Sequence, residues 1–346
     1  MSALLERAKI RLNRVVRRAV SSLRLRYRSG TPIPASRKDE VLLFMEVRNE
    51  SLRLPAVLDD HFSKGASRAF IVDNGSTDGT VEFLLKDKRV HLFSTNEHFH
   101  GALAWLEVLL RRFGCGQWCL VLDADELLAY PHMDTLDLPG FAAYLDAQGF
   151  EALHCLFLDM YPPGPLNELR YRPGDDLLAH AMCFDADNYS RMPFRGIFSD
   201  RAPAHVLCGG VRQRVFGEEF GCSKYPFFRY HKGVFLRLGL HTVEGLRIAP
   251  EQGVLMHFKF LQDFHANAVR EAARGVHWNG AVEYKAYARM IEQHPSFVMA
   301  NDRSQRFRDW RQLVELGLMA SSPALDAHAV QPRRDKNERK NEKNAV

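Results

Sequence analysis

Apolar residues recur in two different periods along this chain, and the period changes near residue 40. Over residues 4–23, Leu5, Ala8, Leu12, Val15, Val16, Ala19 and Leu23 follow at spacings of three and four, which predicts a helix with one apolar face. Arg7, Arg11, Arg14, Arg17 and Arg18 fill the rest of that wheel. Residues 29–36, with Gly30, Pro32 and Pro34, read as a linker. Beyond it, apolar runs of strand length at 41–47, 69–72, 90–93 and 118–122 alternate with helical patterns at 51–64, 80–85 and 101–113. Such alternation implies right-handed crossovers, so the predicted class is α/β with a mainly parallel sheet flanked by helices. Polar residues cluster just after each strand, where open α/β sheets bind their ligands.

The second half is less regular. Residues 160–235 are rich in Gly, Pro and aromatics, 253–260 reads as one more strand, and 262–293 is helical in pattern. The predicted organisation is a basic amphipathic leader and linker at 1–38, a globular domain at 39–300, a C-terminal helix at 301–320 and a disordered charged tail at 321–346.

Composition changes this picture in one respect. With 46% hydrophobic and 26% charged residues the chain reads as an ordinary globular protein, and no apolar run approaches the roughly 18–20 residues that span a bilayer. The net charge of +5 is uneven: residues 1–38 carry +10 and 331–346 carry +3, which leaves −8 for the body between them. The basic character thus belongs to the ends, and nucleic acid is not an expected partner. Two readings of the basic helix stay open. It lies on an anionic membrane surface, or it packs on the acidic body and exposes its charges. Six cysteines without a C-x-x-C pair, and no continuous apolar stretch of secretory type near the start, favour a reducing compartment. The expected location is cytoplasmic, and on the first of those readings residues 1–30 also make peripheral contact at the inner face of the cell membrane.

The candidate chemistry sits at strand ends. Asp123-Ala124-Asp125-Glu126 follows a buried strand, and three acids in four residues are costly to hold together unless a cation compensates them. Hard oxygen ligands suit Mg²⁺ or Mn²⁺, which favours a phosphate-bearing substrate. A solvated turn that caps the next helix is the plainer reading of the same residues. Asp73-Asn74-Gly75-Ser76-Thr77-Asp78-Gly79-Thr80 ends another strand and reads equally as a turn into a helix with Asp78 as its cap. Neither a G-x-G-x-x-G nor a P-loop accompanies it. His257 interrupts the apolar run Val254-Leu255-Met256-His257-Phe258-Lys259-Phe260, as a buried core residue or as a ligand.

Taken in order, the strand ends Val47-Arg48-Asn49-Glu50, 73–80 and 123–126 resemble those of the family 2 glycosyltransferases. Within that family the chain looks most like a bacterial branch with Trp-x-x-x-x-Asp-x-Asp-Glu, matched here by residues 118–126. The resemblance covers roughly 40–300 and implies a GT-A fold and a metal-dependent, inverting transfer of sugar. The donor would be a nucleotide-diphospho-sugar and the acceptor a glycan or a lipid-linked glycan. It further implies that Glu50 and Asp73 hydrogen-bond the nucleotide, with Arg48 and Asp78 lining the same pocket. Asp123 would contact the donor's sugar or ribose, and Asp125 would ligate the Mn²⁺ or Mg²⁺ that bridges the two phosphates. His257 would be a further metal ligand and Lys259 would reach a phosphate. His241 is a weaker match to a family histidine. The acid that deprotonates the acceptor has no convincing motif here; among Asp200, Glu218 and Glu219, the choice falls on Glu219. A nucleotidyltransferase of similar fold and a non-catalytic membrane-surface protein are the competing functions.

Overall fold

The computed structural model describes residues 3–98, 101–217, 221–237, 240–275 and 278–330. The chain opens with α1 (Ala3–Arg24) and the short strand β1 (Arg26–Tyr27). There follow β2 (Val41–Val47), α2 (Leu54–Ser63), β3 (Ala66–Asp73), α3 (Thr80–Leu84), β4 (Val90–Ser94) and α4 (Ala102–Leu109). Next come β5 (Trp118–Val121), β6 (Glu126–Ala129), α5 (Leu138–Gln148) and β7 (Ala152–Asp159). The helix expected at 101–113 ends early: a π-helical turn at Leu110–Gly114 continues α4, and Phe113 stacks on Phe70 with ring centroids 4.5 Å apart.

The irregular stretch contains α6 (Leu177–His180), β8 (Cys183–Phe184), the ribbon β9 (Tyr189–Pro193) with β10 (His205–Gly209), and α7 (Val211–Phe216). Then come β11 (Ser223–Arg229), the ribbon β12 (Phe235–Arg237) with β13 (Thr242–Glu244), and β14 (Ile248–His257). Two helices, α8 (Phe264–Arg274) and α9 (Trp278–Gln293), precede β15 (Gln305–Arg306), α10 (Trp310–Glu315) and α11 (Pro323–Val330). The segment 301–320, expected to be one helix, holds β15 and α10. The start of the expected tail folds as α11, with Leu325 buried; 331–346 lies outside the described residues.

Nine strands form one sheet in the order β1-β4-β3-β2-β5-β11-β7-β14-β6. Pairing directions run β4, β3, β2, β5, β7 and β14 the same way, with β1, β11 and β6 opposed, so the sheet is mixed but mainly parallel. Its centre is apolar on both faces, as parallel strands covered by helices require. Along β2, Val41, Leu43, Met45 and Val47 pack with α2 and α5, while Leu42 and Phe44 pack with α4. Burying each such side chain stabilises by about 1.5–3 kcal/mol. The leader is not a detached segment: β1 pairs antiparallel with β4, Tyr27 packs on Phe93, and Arg68 donates to the Pro34 carbonyl at 2.9 Å.

This topology brings the C-terminal ends of β2, β3, β5, β7 and β14 to one edge. There β14 and β7 run in parallel register, with His257 beside Asp159, and β6 starts antiparallel with Glu126 beside His257.

Candidate functional site

A cleft of about 790 Å³ opens over that edge. Of the residues singled out in the sequence, Arg48, Glu50, Asp123, Asp125, His257 and Lys259 line it, and His241 does too. Asp73 and Asp78 do not. Both Asp73 oxygens accept from the Gly75 and Ser76 amides, and Asp78 accepts from the Thr80 and Ser51 amides, so each shapes its turn. It is Asn74, between them, that reaches the cleft. Glu219 lies outside the described residues.

The loops after β2 and β3 hold each other. Asn49 adopts a positive φ of 57°, which its short polar side chain tolerates. Its Oδ1 then accepts from the Thr77 amide at 2.8 Å, while Arg48 donates to the Asn74 carbonyl at 2.9 Å. Arg53 enters from the start of α2 and crosses to the other half of the sheet, donating to the Phe258 carbonyl and to both oxygens of Asp263. Glu50 sits beside it. Burial, offset by Arg53, raises Glu50 to about 8, and its Oε2 accepts no hydrogen bond from a described residue, with Arg53 Nη1 standing 3.8 Å away. A buried carboxyl oxygen left this way is a group that a ligand's hydroxyl or amide would satisfy.

The acidic turn after β5 divides into two charge systems. Lys224, buried on β11, donates to Asp123 at 2.7 Å and to Glu126. The surrounding protein would raise Asp123, but Lys224 outweighs it and holds the group below its usual range. Asp123 keeps 54% of its side chain exposed. Glu126 is fully enclosed; burial and then Asp123 push it up to about 8, and it also accepts from the Asp123 amide at 3.0 Å.

The second system is a row: Arg212 Nε to Asp159 Oδ2 at 2.7 Å, Asp159 Oδ1 to His257 Nδ1 at 2.6 Å, and His257 Nε2 to Asp125 Oδ2 at 3.1 Å. Burial would raise Asp125, but the His257 charge beside it outweighs burial and holds Asp125 well below the carboxylate range. Burial lowers His257, and the two carboxylates overcome it, to about 9. A carboxylate on Nδ1 is the arrangement that orients metal-ligating histidines, and His257 would ligate through Nε2 only on giving up the proton it now shares with Asp125. Among the described residues no group of three or more His, Cys, Asp or Glu side chains could hold a metal by itself. Asp125 and His257 are therefore a pair that would need oxygens from substrate and water to complete a coordination shell.

His241 accounts for itself differently. Its Nδ1 donates to the Ser223 carbonyl at 2.9 Å, and burial followed by Lys224 pushes it down to about 3, so it faces the cleft as a neutral ring. Lys259 donates to Glu283 at 3.1 Å and to the Tyr284 hydroxyl at 3.3 Å.

Sequence reasoning missed Arg53, Asp159, Arg212 and Lys224. Asp159 carried a usable signal, since it is a charge that closes an apolar run, whereas Lys224 lies in a stretch that reads as irregular. Arg53 and Arg212 carried none, because their partners come from remote segments.

No family model matches the chain, and no match is found among curated proteins. Among solved structures, it is similar to "Mannosyltransferase PcManGT from Pyrobaculum calidifontis in complex with GDP-Man and Mn2+", at 17% identity over 94% of this chain and 89% of that one. The TM-score is 0.35, too low a likeness to carry an inference.

Proposed function

We propose that this chain is a glycosyltransferase that takes a nucleotide-diphospho-sugar and transfers the sugar to a glycan or lipid-linked glycan, in the manner of the family 2 enzymes of GT-A fold. The observation that carries this reading is the row Asp159–His257–Asp125 at the strand ends, in a cleft of about 790 Å³ that also holds Glu50 and Asp123. Asp125 and His257 have the donor chemistry for Mn²⁺ or Mg²⁺, and Asp159 keeps the His257 ring oriented toward it. The cation, when bound, supplies Lewis-acid charge to the leaving diphosphate.

The chain's own residues do the rest. Glu50 offers to the nucleoside the oxygen that no described residue hydrogen-bonds, and Arg48 fixes the loop beside it. Asp123, held ionised by Lys224, accepts from hydroxyls of ribose or sugar. Asp73 and Asp78 act indirectly by shaping the turn that presents Asn74. Inversion requires a base on the far side of the anomeric carbon, and Glu219 is the acid assigned to it on sequence grounds.

The test is a thermal-shift panel of nucleoside diphosphates with Mn²⁺. Wild-type protein gains stability with one nucleoside diphosphate when Mn²⁺ is present and loses the gain with a chelator. Asp125→Ala keeps its unliganded melting point within about 2 °C of wild type and shows no gain. An Asp125→Ala protein that still responds to Mn²⁺ plus nucleotide removes Asp125 from the metal site.

A further inference from the structure

The helix α1 is mounted the opposite way from an ordinary surface helix. Ile10, Arg14, Arg18 and Ser21 face the body, at spacings of four, four and three, and Leu25 continues the same side. Arg14 and Arg18 both pair with Glu107 of α4, whose side chain is only 1% exposed. The Arg14 guanidinium also lies 3.9 Å from the Phe235 ring centroid. The docked face thus carries two of the helix's arginines and not its apolar stripe.

That leaves the apolar stripe outside. Leu5, Leu12, Val15, Val16 and Leu23 are all more than half exposed, with Leu23 at 89%. A helix docked for core burial turns such a stripe inward, and five large apolar side chains aligned in water are a cost that something must relieve. Charge indicates what. Arg7, Lys9, Arg11 and Arg17 of the helix remain exposed, as do Arg26 and Arg28 just beyond it. A second copy of the chain placed stripe to stripe would bring two such sets of cations together. An anionic bilayer offers an apolar interior and a negative surface at the same depth.

We infer that α1 lies in the plane of an anionic lipid surface with its apolar stripe inserted, while Arg14 and Arg18 clamp the globular body to it through Glu107. Docking on the acidic body and contact with lipid are then the two faces of one helix. Among the described residues no helix is long and apolar enough to cross a membrane, so the contact is peripheral. The helix also reaches Phe198 through Arg11, with 5.4 Å to the ring centroid, in the same loop that lends Phe194 to the cleft wall.

The experiment is co-sedimentation of the full chain with phosphatidylcholine vesicles, with and without about one third phosphatidylglycerol, at rising salt. The comparison variant, Leu12→Asn with Val16→Asn and Leu23→Asn, alters only outward positions and leaves the Glu107 clamp in place. Wild-type protein partitions to the anionic vesicles at least about tenfold more than to neutral ones, less so as salt rises, and the variant loses about tenfold or more while melting like wild type. Full-length protein that stays in the supernatant with anionic vesicles at low salt overturns the inference. So does a variant that sediments like wild type, or a wild-type dimer on gel filtration that the variant converts to monomer, because a second copy then covers the stripe.

Discussion

His61 shows how one side chain can set a pH limit on the whole fold. It is fully buried on α2, its Nδ1 donates to the Val57 carbonyl at 2.8 Å, and its Nε2 accepts from the Leu128 amide at 3.3 Å. Burial pushes it down to about 4 from an ordinary value of 6.5, with Asp60 opposing. The folded protein therefore binds this proton less readily than the unfolded chain. The resulting stability is fully present above about pH 6.5 and is lost as pH falls toward 4. Melting temperature is expected to drop across that window, and His61→Gln should flatten the drop; equal slopes for the two proteins would refute this role. Histidine at 257 has the opposite surroundings, two carboxylates in place of a carbonyl and an amide. The sequence does not announce these surroundings: His61 follows Asp59-Asp60 on a helix and yet is buried, while His257 interrupts an apolar run and yet is flanked by carboxylates. What makes His257 a ligand candidate is Asp159, 98 residues away in sequence and adjacent only through parallel register of two strands.

At the scale of elements, β14 leaves little room for change at its middle. It runs between β7 and β6, and Gly253 lies where a Cβ would meet the Ala129 carbonyl oxygen, the Cys155 sulfur and a Leu153 methyl, each at 2.9 Å. Gly253→Ala is expected to destabilise by about 1–3 kcal/mol, because backbone and buried sulfur have little room to retreat. Urea denaturation reads this directly, and an unchanged midpoint would show that the two neighbouring strands can spread. The first four inner strands were legible in the sequence because each is an apolar run closed by polar residues. β14 was legible only in its second half, since Pro250, Glu251 and Gln252 interrupt the run. β11 was not foreseen: Lys224 and Pro226 break its pattern, and the stretch reads as irregular although it inserts between β5 and β7. The same insertion delivers Lys224 to Asp123, so what hid the strand also hid a member of the site. The π-helical turn after α4 carried no signal in spacing.

For the whole molecule, the acidic body and basic leader read from charge counts turn out to be one structure, joined by the β1–β4 pairing and by Glu107. Removing residues 1–30 would therefore strip an edge strand and leave Glu107 buried without its arginines, which makes point changes on the outward stripe the cleaner probe of the leader. The strand ends from both halves of the sheet converge on one cleft, which on the proposed function would activate a nucleotide-sugar with a divalent cation at Asp125 and His257. A hydrolysis screen of nucleotide-diphospho-sugars without acceptor addresses that most directly. With Mn²⁺, one donor should release its nucleoside diphosphate, the release should stop with chelator, and Asp125→Ala should reduce it by at least about a hundredfold. Release that continues undiminished with chelator or in Asp125→Ala, or no turnover of any donor with Mn²⁺ or Mg²⁺, would contradict the account.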